Sequence, residues 1–201
     1  MSTNRTRPDR SRETLFSVGL ERLTDPVKFN NFLIAIVESS IQVGVSGPAV
    51  WVRVEGKGNF LNSGNFKEFA REMIDRGYRE FVIDLHDCAM MDSTFMGTMA
   101  GLALRLKELG QGHLRVVHCG ERSRQLLSGL GLDQLFQISS NGARAPECDA
   151  LAATTMGKKE QAREMLAAHE ALCEAAPENI LRFKDVLEYL KQDLHDNPVK
   201  K

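Results

Sequence analysis

The tripeptide Asp92-Ser93-Thr94 holds the side chains best placed for chemistry in this chain of 201 residues. It follows the apolar run Phe81-Val82-Ile83-Asp84-Leu85 and opens a periodic segment from Phe95 to Leu109. A serine at such a strand-to-helix junction meets unpaired backbone N–H groups and the positive end of a helix dipole, both of which favour negative charge. A phosphate on Ser93 would add roughly −1.5 to −2 charges at neutral pH. Against an apolar or acidic partner surface, its desolvation and repulsion would weaken binding, and about 1.4 kcal/mol is already a tenfold change in affinity. The competing role for Ser93 is a helix N-cap contributing about 1 kcal/mol, a task that Asp92 or Thr94 could take instead.

Three other groupings deserve the same test. His86 and Cys88 follow one predicted strand, and His118 and Cys119 end another, so their residue types would make a legitimate zinc set. Their spacings match no standard zinc module, and adjacent residues on a strand point to opposite faces; no metal or other cofactor is expected. Asp84, Asp87 and Asp92 could pair as carboxylates for acid–base work. No basic residue stands near them in sequence, and they are expected to be solvated loop residues. Gly56-Lys57-Gly58 lacks the Lys-Ser or Lys-Thr pair of a phosphate cradle and reads as a flexible loop. No GxSxG motif occurs, and no histidine lies near Ser93 in sequence to activate it. These observations point away from an enzyme.

The elements that position Ser93 can be read from periodicity. Ile41 to Val45 and Ala49 to Glu55 alternate around the turn residues Ser46-Gly47-Pro48, a β-hairpin. The loop from Lys57 runs through Asn59, Phe60 and Asn62 to Ser63, a candidate cap for a helix bearing Phe66, Phe69, Ala70, Met73 and Ile74. Phe81 to Leu85 predicts a buried strand, Phe95 to Leu109 a second helix closed by Gly110, and Leu114 to His118 another strand. Ser123 to Leu130 predicts a third helix and Leu135 to Ile138 a short last strand. Strands alternating with helices argue for an α/β domain with a mixed sheet, parallel across the helical crossovers.

Residues 41–140 are thus expected to form this domain, 141–157 a linker, and 158–196 an amphipathic helical hairpin. The hairpin stripe Ala162, Met165, Leu166, His169, Leu172 and Cys173 is expected to pack on the chain's own core or in a homodimer, since amphipathic helices usually serve stability, the alternative being an apolar face offered to another protein. Residues 1–40 read as a partly disordered extension, with a short helix after Asp25-Pro26. The pattern sharpens abruptly after Val37, which suggests translation beginning near that residue; mass spectrometry of the native N-terminus would decide.

Composition bounds the partners. Apolar residues make up 42% and charged residues 26%, with 27 acidic against 26 basic. No global field recommends nucleic acid or an anionic membrane, and Arg5, Arg7, Arg10 and Arg12 form only a short basic run without aromatics. Four dispersed cysteines, with no signal sequence and no apolar run of spanning length, make a reduced cytoplasmic setting the expectation.

The segment from Ile41 to Ile138 resembles the STAS domain of anti-sigma factor antagonists and sulfate transporter tails. The likeness is strongest from Phe81 through Asp92-Ser93-Thr94 and Gly97 to Ala103. Val54-Glu55-Gly56, Ser123 with Leu126-Leu127, and Gly131 to Ile138 add weaker support. The resemblance implies a STAS-like mixed β-sheet with helical crossovers. It also implies that Ser93 is phosphorylated by a serine kinase that doubles as an anti-sigma factor, that a serine phosphatase reverses this, and that only the unphosphorylated chain captures the kinase. Partner contacts would then fall on Asp92, Ser93, Thr94, Phe95, Lys57, Asn59, Phe60, Asn62 and Ser63. Where family members often read Asp-Ser-Ser-Gly, this chain has Thr94-Phe95, which would set a large ring beside the switch. An accessory subunit of a transport complex, binding without a phosphorylation cycle, is the second implication.

Overall fold

The computed structural model describes residues 39–110, 112–152 and 154–196. The expected helix after Asp25-Pro26 and the proposed start near Val37 lie outside them. Alternation on the strands generates two different sheet faces. Val50, Val52 and Val54 of β2 (Ala49–Gly58), Phe81 and Ile83 of β3 (Glu80–Asp84), and Leu114 and Val116 of β5 (His113–Val117) face one core. Ala49, Trp51, Val82 and Val117 face the other way and pack with Ala145 in a smaller cluster.

From β6 (Gln137–Ile138) at one edge the strand order runs β5, β3, β2, β1 (Ser40–Ser46) and β7 (Asp149–Ala150), with β4 (Cys88–Met91) paired to the end of β2. β1 runs antiparallel to β2, with Ser46 opposite Ala49 across the expected tight turn. β2, β3, β5 and β6 are parallel neighbours, as helical crossovers require. Two strands had no sequence forecast. β4 pairs only through Gly56–Gly58, and β7 adds an antiparallel edge to β1 from within the expected linker. Segments of two to four residues offer too little alternation to be read.

Three helices follow the α/β pattern: α1 (Phe60–Asp75), α2 (Ser93–Glu108) and α3 (Glu121–Ser128). Three starts differ from expectation, α3 beginning at Glu121 and not at Ser123. Asn59, not Ser63, caps α1, in a reciprocal box with Asn62, and Ser63 lies inside the first turn with its hydroxyl donating to the Asn59 carbonyl. α2 begins at Ser93, two residues earlier than the apolar period indicates, because capping depends on side-chain oxygens and not on hydrophobic spacing.

The hairpin helices α4 (Lys158–Ala175) and α5 (Asn179–Asp196) belong to the same compact unit as the sheet. Leu172 is fully buried in the main core, joined by Phe183. Buried Asn179 ties the turn down by donating to the Leu130 carbonyl (3.0 Å) and the Leu172 carbonyl (2.8 Å). Lys67 of α1 pairs with Glu164 of α4 at 2.6 Å. The stripe that was open to own-chain or homodimer packing therefore lies against the chain's own α2. Ile180, Leu181, Val186 and Tyr189 of α5 stay exposed.

The α2–α4 contact is close enough to need glycine. A Cβ at Gly97 would sit 2.2 Å from the Ala168 carbonyl oxygen, whereas one at Gly101 would meet the Ala171 Cβ at an ordinary 3.7 Å. Gly97→Ala is expected to lower stability by about 1–3 kcal/mol through overpacking against backbone. Gly101→Ala is expected to be neutral or to stabilise by up to about 1 kcal/mol through helix propensity. Urea unfolding of both variants checks the contrast; equal losses would show that α4 does not press on α2 at Gly97.

Candidate functional site

Asp92 organises the junction around Ser93. As the α2 N-cap, it accepts from the Phe95 N–H at 2.8 Å through Oδ1 and from the Phe60 N–H, the first of α1, at 2.9 Å through Oδ2. One carboxylate thus satisfies orphan donors at the starts of two helices, where the dipoles also favour its charge. The Asp92 N–H donates to the Gly58 carbonyl at 3.0 Å. Asn62 closes the loop by donating through Nδ2 to the Lys57 carbonyl at 2.8 Å. The Lys57–Ser63 segment and Ser93 therefore share one end of the sheet, and Asp92, rather than Ser93, does the capping.

Burial divides the expected partner residues. Lys57, Phe60 and Leu61 are exposed, Leu61 at 63%, as is Met90 of β4. Asn59, Asn62, Asp92 and Ser93 are half-buried. Thr94, Phe95 and Ser63 are buried. The Phe95 ring, fully enclosed, stacks on Phe66 at 5.5 Å between centroids and lies beneath Gly58, where a Cβ would come within 2.6 Å of it. Its apolar bulk is better accommodated in the core than beside a wet switch. Thr94 accepts on its carbonyl the hydroxyl of Thr98 at 3.0 Å.

A residue not assigned to the site from sequence completes it. Ser93 Oγ lies 3.0 Å from Nε2 of His169 on α4, which is only 3% exposed. The other ring nitrogen, Nδ1, lies 2.7 Å from the Met165 carbonyl. A carbonyl can only accept, so Nδ1 carries a proton, and in the neutral ring Nε2 accepts from the Ser93 hydroxyl. The Phe183 ring meets the imidazole edge-on at 5.0 Å. The usable signal was a lone titratable residue within an apolar stripe. Its 76-residue separation from Ser93 hid the pairing.

The remaining groupings resolve differently. Asp84 is not a solvated loop residue: it is 3% exposed and accepts from the His118 ring at 2.8 Å and from the His86 N–H at 3.0 Å. His118 takes a left-handed φ of 52° there. Cys88 Sγ lies 3.4 Å from the Met90 carbonyl and Cys119 Sγ 3.7 Å from the Gly120 carbonyl, while the His86 and His118 rings meet edge-on at 5.6 Å between centroids. Among the described residues no group of three or more His, Cys, Asp or Glu could hold a metal ion. Among them, too, no helix is long and apolar enough to cross a membrane.

Two outcomes follow. Asp92→Ala should cost about 2 kcal/mol, one cap at each of two helices. Asp92→Asn should recover only the α2 cap, because its amide nitrogen has no acceptor to offer Phe60; denaturant midpoints separate the three chains. Burial pushes the thiols of Cys88, Cys119, Cys148 and Cys173 above their ordinary range. Raised thiols hold less thiolate at a given pH. Alkylation of all four by iodoacetamide at pH 8 should thus be slower than that of free cysteine and should accelerate as pH rises further. A site labelled faster than free cysteine would contradict that burial.

No curated protein sequence matches the chain. Among solved structures, the Thermotoga maritima protein TM1081, described as a candidate anti-sigma factor antagonist, is 21% identical. That likeness covers 49% of this chain and 85% of TM1081 at a TM-score of 0.46. The Bacillus cell fate determinant SpoIIAA in its phosphorylated form is 16% identical over 49% of this chain and 90% of its own, at 0.43. A sulfate transporter family protein from Wolinella succinogenes is 13% identical over 49% and 81%, at 0.39. The STAS domain family model matches residues 40–145, just over half of the sequence, and the chain belongs to the STAS domain family.

Proposed function

We propose that this chain is a non-enzymatic anti-sigma factor antagonist that works by partner switching under phosphorylation of Ser93. The observation that carries the reading is the placement of Ser93. It is the first residue of α2, half-buried, with its hydroxyl free of the capping task that Asp92 performs. The Asp-Ser pair of the family's antagonists falls on Asp92-Ser93, and the adjoining surface offers Phe60, Leu61 and Met90 with Lys57 beside them. An apolar patch next to a half-buried hydroxyl suits docking of a serine kinase that is also an anti-sigma factor.

Phosphorylation places roughly −1.5 to −2 charges beside that patch. Any partner that covers Ser93 must then desolvate the phosphate, so local charge alone lowers affinity and no refolding of the sheet is needed. Lys57, Asn59, Phe60, Asn62, Asp92 and Ser93 supply the contact surface, while Ser63, Thr94 and Phe95 hold it from beneath. ATP belongs to the kinase and reversal to a serine phosphatase; the chain itself needs no cofactor.

Pull-downs from native lysate with the wild-type chain, Ser93→Ala and Ser93→Asp, read by mass spectrometry, test the reading. Wild type and Ser93→Ala should retain a serine kinase that Ser93→Asp loses by at least tenfold, equivalent to about 1.4 kcal/mol. Equal retention of one protein by all three baits would instead favour a constitutive accessory subunit of a transport complex. The exposed α5 residues Ile180, Leu181, Val186 and Tyr189 would suit docking on such a subunit.

A further inference from the structure

We propose that the C-terminal hairpin is the chain's own reader of Ser93: when Ser93 is phosphorylated, His169 becomes the counter-ion of the phosphate and staples α4 onto α2. The inference deepens the switch reading above and rests on Ser93 being the modified residue. It starts from the proton inventory of the imidazole. Nδ1–H donates to the Met165 carbonyl, and in the neutral ring Nε2, bare, accepts the Ser93 proton. A phosphoserine has no hydroxyl hydrogen at Oγ and presents acceptor oxygens instead. A bare Nε2 facing those oxygens would set lone pair against lone pair. The ring must gain a proton or leave.

The packing favours the proton. His169 is almost fully enclosed, held through Nδ1 on one side and by the Phe183 ring on another. Its helix is pinned by the backbone contact of Ala168 at Gly97 and by the two carbonyl bonds of Asn179. Protonation at Nε2 leaves the Nδ1–H bond to Met165 unchanged. The doubly protonated ring then uses both donors, one on a carbonyl and one on phosphate. A charge-assisted bond is roughly twice as strong as the neutral bond it replaces, which offsets the burial of charge. The contacts of the unmodified ring, Ser93, Met165 and Phe183, bring no competing charge.

The consequence is directional. The unmodified hydroxyl holds the hairpin by one neutral hydrogen bond, and the modified one holds it by an ion pair. Phosphorylation thereby closes the α2 face with the chain's own α4, and the partner loses to a segment already tethered beside the site.

The test uses the full chain with phosphoserine installed at position 93 by genetic-code expansion, so no kinase is involved. Imidazole 15N shifts at pH 7, assigned to His169 by their loss in His169→Gln, should change from one bare nitrogen to two protonated ones. Amide hydrogen exchange in α4 should slow several-fold on phosphorylation, and His169→Gln, which keeps a polar amide but cannot take the charge, should lose that gain. A phosphorylated chain whose His169 stays neutral, or whose α4 exchanges faster than in the unmodified chain, overturns the proposal. The pull-downs fail separately. If Ser93→Asp retains every partner while the phosphorylated chain shows the protonated ring, the partner-switching reading falls and the staple stands.

Discussion

The approach of α4 to α2 at Gly97 is the constraint from which the character of this protein follows. With no side chain at that position, the Ala168 backbone meets α2 directly. That contact draws Leu172 into the main core and brings the His169 ring to Ser93. Without the hairpin, Ser93 would be a helix-start hydroxyl near an apolar patch. With it, the hydroxyl has a specific intramolecular partner whose tautomer is fixed by a backbone carbonyl. The extension is therefore part of the functional surface as well as part of the core.

A second constraint works beneath the first. Asp92 joins the starts of α1 and α2 through one carboxylate, and Gly58 lets the Phe95 ring slide under the loop that this carboxylate anchors. Position and chemistry are thus divided among neighbours. Asp92 fixes the backbone, Phe95 fills the core, and Ser93 is left free of both tasks. Such a division suits the modification proposed for Ser93, which would change a surface without unfolding it.

The α/β frame was legible in the sequence because burial on a sheet leaves a period of two and burial on a helix a period of 3.6. β1, β2, β3, β5 and the helices α1 to α5 were all visible in this way, even where caps moved their ends by two to four residues. β4 and β7 were not, since strands held mainly by backbone pairing write little into side-chain order. The site was legible only in part. Asp92, Ser93 and the Lys57–Ser63 loop could be nominated together, but Asp84, expected in a solvated loop, is buried. Residue type at a loop predicts polarity on average, whereas burial depends on what packs over the loop.

The sequence by itself determined the strands and helices, the STAS pattern around Asp92-Ser93-Thr94, and the amphipathic nature of the C-terminal helices. These are local matters, set by spacing, caps and turn residues. Only the tertiary structure decided that α4 lies on α2, that His169 faces Ser93, and that Asp84 is buried beneath His118. Each is a meeting of residues distant in sequence. It is fixed by where small side chains allow two backbones to touch and by which buried polar atoms then find a partner.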